Sequence, residues 1–94
     1  MGYKAVRRKV IEALESRAFS HEVRQDINVK NLLHVGAITP EDVVRLIKAS
    51  AGTDHSCSEH HSVKGIDVHV IKCKIWYIKF YFVDPDTVFI SVHQ

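Results

Sequence analysis

Four residues in the last third of the chain suit phosphodiester chemistry: His69, Tyr77, Lys79 and His93. Cleaving RNA by internal transesterification requires a base for the 2′-hydroxyl, a cation for the charge that builds on the phosphorane, and an acid for the departing 5′-oxygen. Histidine serves as acid or base near neutral pH. Lysine meets the phosphate charge, and tyrosine stacks on a base or orients the phosphate. The polar run His55-Ser56-Cys57-Ser58-Glu59-His60-His61 adds His60 and His61 as further acid-base candidates. Each has a plainer structural role to set beside this. Tyr77 suits a half-buried strand position, Lys79 guards a sheet edge with its charge, and His93 lies where chain ends fray.

The same polar run also contains metal-ligand types. Cys57-x-x-His60 could supply two corners of a tetrahedral zinc site, since thiolate and imidazole are zinc's usual ligands. No second paired spacing completes it, so Cys73 or His69 would have to arrive by folding. A Cys57/His60 nucleophile pair lacks a legible third residue to orient the imidazole. The residues therefore lead to no metal and no other cofactor, with Cys57, His60 and Cys73 as the alternative ligand set.

These groups need elements to hold them. Val6, Val10, Ala13 and Leu14 fall at i, i+4, i+7 and i+8, which predicts a helix from Tyr3 to about Ala18 with one buried stripe. Lys4, Arg7, Arg8 and Arg17 then lie largely off that stripe, and Arg7 and Arg8 are candidates for phosphate contact. Ser20 is placed to cap a second helix, with Glu22 at its positive end, Val23, Ile27 and Leu32 inward, and Gly36 as terminator. Thr39-Pro40-Glu41-Asp42 is a clear start signal: a capping hydroxyl, proline at the first position, then two acids. A helix to about Ser50 follows, with Val43, Val44, Ile47 and Ala51 inward and Gly52 ending it.

Residues 52–65 read as a loop, being nearly free of apolar side chains. Beyond it, IDVHVI, WYIKFYFV and TVFISVH are rich in β-branched and aromatic residues and read as strands. Asp84-Pro85-Asp86 is a hairpin turn between the last two. Trp76, Ile78, Phe80 and Phe82 share one face of the middle strand. Tyr77, Lys79, Tyr81 and Val83 share the other, so Tyr81 and the nearby Lys74 join the candidate RNA contacts. The expected fold is α+β. Two or three N-terminal helices (3–51), then the loop (52–65), pack on a C-terminal antiparallel sheet (66–93) of three or more strands, all in one domain, 1–94.

The bulk numbers agree with a small globular unit. Ninety-four residues, 46% apolar and 26% charged, suit one domain with a thin stability margin. Residues 1–52 hold nine Lys/Arg against six Asp/Glu, whereas residues 53–94 hold four against five but five of the seven histidines. Positive charge is thus expected in the helices and titratable groups in the sheet. Two cysteines are too few for a secreted disulfide framework. No stretch approaches the ~20 apolar residues of a membrane span, and the N-terminus lacks a signal-peptide pattern. A cytoplasmic location, with no membrane partner, is the expectation.

WYIKFYF, followed by a turn and FISVH, resembles the MqsR family of bacterial toxins. The specific part covers about the last thirty residues, and the helical half is similar in broad order. The resemblance implies a RelE-like fold, mRNA cleavage with or without the ribosome, and a cognate antitoxin as partner. Tyr77 matches the family's strand tyrosine, and the family's late catalytic lysine falls at or next to His93. The lysine of the family's FYKS-type segment has no counterpart in Asp54-His55-Ser56-Cys57-Ser58. Its glutamine before the DVY-type strand is missing at Ile66-Asp67-Val68-His69. A nuclease built on this chain would use histidines instead. The two other readings are a noncatalytic module binding RNA or protein, and a small zinc-binding protein.

Overall fold

The computed structural model describes residues 2–23 and 30–94. Helix α1 (Tyr3–Ser16) forms where the apolar stripe requires it. Val6, Val10 and Leu14 are fully buried, and Arg17 closes the helix in a left-handed conformation. Helix α2 (Pro40–Ala49) starts as its sequence dictates: the Thr39 hydroxyl accepts from the Asp42 amide at 3.1 Å, and the Thr39 amide donates to the Asp42 carboxylate at 3.2 Å. Such a reciprocal cap satisfies two donors the helix itself cannot. Val43, Val44 and Ile47 face inward, but α2 stops at Ala49 and leaves Ala51 exposed.

Five strands make one sheet, with spatial order β1-β5-β4-β3-β2. They are β1 (Phe19–His21), β2 (His55–Glu59), β3 (Asp67–Cys73), β4 (Trp76–Val83) and β5 (Asp86–His93). Three strands sit where sequence patterning puts them, and β4 is central. The sheet is mixed rather than antiparallel, because β1 runs parallel to β5. Two strands lie where sequence suggested none. Ser20 is a strand residue and caps no helix, and the stretch expected to be a loop contains a 3-10 turn (Gly52–Asp54) and all of β2. Of the expected second helix, Ile27 lies outside the described residues and Val23 is exposed. Leu32 packs against the core, and Gly36 ends a turn at φ 80°, where a side chain would be strained.

Both helices cover one sheet face. A single core joins Val6, Val10, Leu14, Val43 and Ile47 to Ile71, Ile78, Phe80, Phe89 and Val92. Lys9 pins α1 to the end of the last hairpin, 2.5 Å from Asp84 and over the Phe82 ring. No helix among the described residues is long and apolar enough to cross a membrane.

Candidate functional site

The sheet face away from the helices, here the far face, carries Tyr77, Lys79 and Tyr81 of β4, as alternation along the strand requires. Two segments reach over it. Glu22, just past β1, spans to β4, where the Tyr81 hydroxyl donates to its carboxylate at 3.0 Å. Burial, then this hydrogen bond, pushes the Tyr81 pKa up, so the phenol remains a donor. The segment after β2 folds back through the bond from the His60 amide to the Ile66 carbonyl and sets His60 against the edge of the Tyr81 ring.

His60 is held on both sides. Its Nδ1 accepts from the amides of Ser62, at 3.0 Å, and Val63, at 3.2 Å. The ring proton is thereby fixed on Nε2, which points at Glu22 Oε2 from 3.5 Å. Only 7% exposed and bonded through Nδ1, His60 suits orienting Glu22 better than exchanging protons with a substrate. His61 is its opposite: exposed and stacked flat on His60, with ring centroids 5.0 Å apart. Glu22, Ser58, Glu59, His60, His61, Val68, Lys79 and Ile90 enclose a depression of about 200 Å³. Lysine, carboxylate and free imidazole thus meet in one hollow.

Tyr77 and His93 form a second group on the same face, their rings stacked at 5.1 Å with Lys72 near the tyrosine. His93 reaches that face through a β-bulge. Lys79 pairs with Ser91 while the next residue, Phe80, pairs with Phe89, so β5 has one residue more than β4 there. Unbroken alternation would place Phe89, Ser91 and His93 on one face, and Phe89 is core. The extra residue reverses the parity, so that Ser91 and His93 face away from the helices. Tyr77 and Tyr81 are four residues apart, ~13 Å along the strand, with Lys79 between them.

The residues suited to phosphodiester chemistry are therefore not all brought together. His69 is on the helix-covered face, directly opposite Phe80, buried against the Phe80 and Phe82 rings. It cannot act with Tyr77, Lys79 or His93, because the sheet intervenes. The Cys57, His60 and Cys73 ligand set also fails. Cys57 is an exposed position opposite His69, Cys73 is buried opposite Trp76, and the four-residue offset is ~13 Å. No three His, Cys, Asp or Glu side chains among the described residues stand ready to hold a metal.

The basic candidates do not form one surface either. Arg7 bonds the Lys48 carbonyl between the helices, Arg8 is exposed on α1, and Lys74 caps the β3-β4 turn at φ 57°. Of the four residues expected to contact RNA (Arg7, Arg8, Lys74 and Tyr81), Tyr81 alone shares the far face with Lys79. The sequence places Glu22 at an expected helix start, and it puts His55 in the polar run with no role of its own, whereas His55 bonds His69. Glu22 gave no signal, because its role depends on β1 crossing to the sheet edge beside β5. Comparisons with family models, curated proteins and solved structures find no match to this chain.

Proposed function

We propose that the chain is an RNA-cleaving toxin of the MqsR kind that works on the far face of its sheet. What carries the reading is one hollow that joins Lys79, the free imidazole of His61 and the oriented carboxylate of Glu22. In this reading Lys79 meets the scissile phosphate. Glu22 takes the proton of the 2′-hydroxyl as its oxygen attacks phosphorus, and His61 delivers a proton to the leaving 5′-oxygen. The products are a 2′,3′-cyclic phosphate and a 5′-hydroxyl end. Tyr81 and His60 act as positioning residues for Glu22, and the stacked Tyr77-His93 pair offers a platform for a neighbouring base. A cognate antitoxin, and action in a bacterial cytoplasm, belong to the same proposal.

The test is incubation of the purified protein with single-stranded RNA in chelator, with mapping of new ends. Cyclic phosphate ends are expected. His61→Ala and Lys79→Ala should each lower the rate by ~10²–10⁴-fold, the usual range for a lost proton-transfer or charge-stabilising group. A noncatalytic RNA-binding module is the second reading. It is favoured by His60 being held in place and His69 lying behind the sheet, which leaves few imidazoles on the far face. Salt-dependent RNA binding with no cleavage at any protein concentration would select it.

A further inference from the structure

Strand β2 reads His55-Ser56-Cys57-Ser58-Glu59, and β3 opens with Asp67-Val68-His69. The two strands are antiparallel, with Cys57 opposite His69 and Glu59 opposite Asp67. Alternation therefore puts His55, Cys57 and Glu59 on the same face as Asp67 and His69, while both serines turn to the far face. This is the helix side of the sheet, but β2 is the edge strand, and Cys57, Glu59 and Asp67 are all exposed. Five side chains of metal-ligating type thus share one strip of a two-stranded ribbon.

Two of them already meet: His55 and His69 share a hydrogen bond between ring nitrogens, and a bound metal ion would take the place of its proton. His55 Nε2 lies 3.1 Å from His69 Nδ1, with the rings stacked at 5.3 Å. Two imidazole nitrogens bound to one tetrahedral zinc at ~2.0–2.1 Å stand about 3.3 Å apart. The Cys57 thiol starts from the position facing His69, where directly opposed Cβ atoms are ~4.5–5.5 Å apart. Around the two histidines lie Tyr3, its ring 5.8 Å from that of His55, and Lys9 and Asp84, which border the hollow beside His69. The exposed carboxylates Glu59 and Asp67 set the charge at the open end.

We propose that His55, His69 and Cys57 bind a divalent transition-metal ion of the zinc class, with water or a neighbouring carboxylate as fourth ligand. The two imidazoles form the bite, and a side-chain rotation brings in the Cys57 thiolate. This ligand set differs from one built on Cys57, His60 and Cys73, and it lies on the opposite sheet face from the RNA hollow. It does not depend on RNA cleavage.

Cobalt(II) titration of metal-free protein under a non-thiol reductant tests it. A one-to-one complex with a thiolate-to-cobalt charge-transfer band, bleached by zinc, is expected. Cys57→Ser should remove the band, and His55→Ala should weaken binding at least ~10-fold, a loss that even outer-shell changes produce. His60→Ala and Cys73→Ser should leave the band unchanged. Both Cys57 and His55 are surface or half-exposed, so these variants avoid the folding risk of replacing buried His69. No band at stoichiometric cobalt, or a band that survives Cys57→Ser, would overturn the proposal.

Discussion

His60 and His61 are neighbours in sequence with the same side chain, and the fold gives them opposite properties. His60 is buried, bonded through Nδ1 to two amides and faced through Nε2 by Glu22. His61 stacks outside it and keeps its ring accessible. The two faces of β4 differ in the same way. Ile78 and Phe80 vanish into the core, while Tyr77, Lys79 and Tyr81 remain half-exposed. Residue type proposes a role; partners and exposure decide whether it can be filled.

The largest effect is expected on the core side of β4. Phe80→Ala should cost ~3–5 kcal/mol by cavity formation, a large share of the stability of so small a domain, read as a drop in the urea midpoint. Lys79→Ala, one residue away and on the other face, should leave that midpoint within ~0.5 kcal/mol, as surface changes do, while lowering RNA cleavage. If the two variants were equally destabilised, β4 would not divide into a structural and a functional side.

A smaller effect sharpens the link between Tyr81 and Glu22. Tyr81→Phe removes a hydrogen bond to a carboxylate that is partly solvated, so the expected stability loss is about 1 kcal/mol. Cleavage should fall with kcat affected more than KM, because the carboxylate loses its orientation rather than the RNA its contacts. Equal changes in stability and no change in kcat would make Tyr81 a packing residue only. Thr39→Ala, at the cap of α2 and remote from either face of β4, should cost ~1 kcal/mol and leave cleavage untouched.

The least of the expected effects is set by pH. Burial, reinforced by nearby His34, holds His21 below the ordinary value of 6.5. The folded state therefore resists the proton that the unfolded chain accepts. Its contribution to stability is intact above 6.5, declines as pH falls below it, and is fully lost once the lowered folded value is passed. In chelator, urea midpoints should fall between about pH 7.5 and pH 5, and His21→Asn should flatten part of that slope. An unchanged slope in the variant would show that His21 takes no part.

What could be read in advance follows from how local each feature is. The stripe of α1, the Thr39 cap and the two faces of β4 depend on residues within a turn or two of one another, and the structure agrees with all three. The strand β1 has three residues, too few for a periodic signal, and β2 hides in a polar run because its edge position demands little burial. The bulge that turns His93 toward Tyr77 exists only through pairing with β4. Glu22 belongs to the hollow because residues 59 positions apart are brought together. The position of His69 is non-local too: parity along β3 can be counted from the sequence, but which parity faces the helices is set by the partner Phe80.

If the chain acts on RNA as proposed, RNA meets the far face of the sheet and not the arginines of α1. Backbone amide shifts recorded while a short single-stranded RNA is titrated into isotope-labelled protein test this most directly. Perturbations should concentrate at His61, Tyr77, Lys79, Tyr81 and His93 and spare α1. Shifts centred on Arg7 and Arg8, with β4 and β5 unmoved, would contradict it.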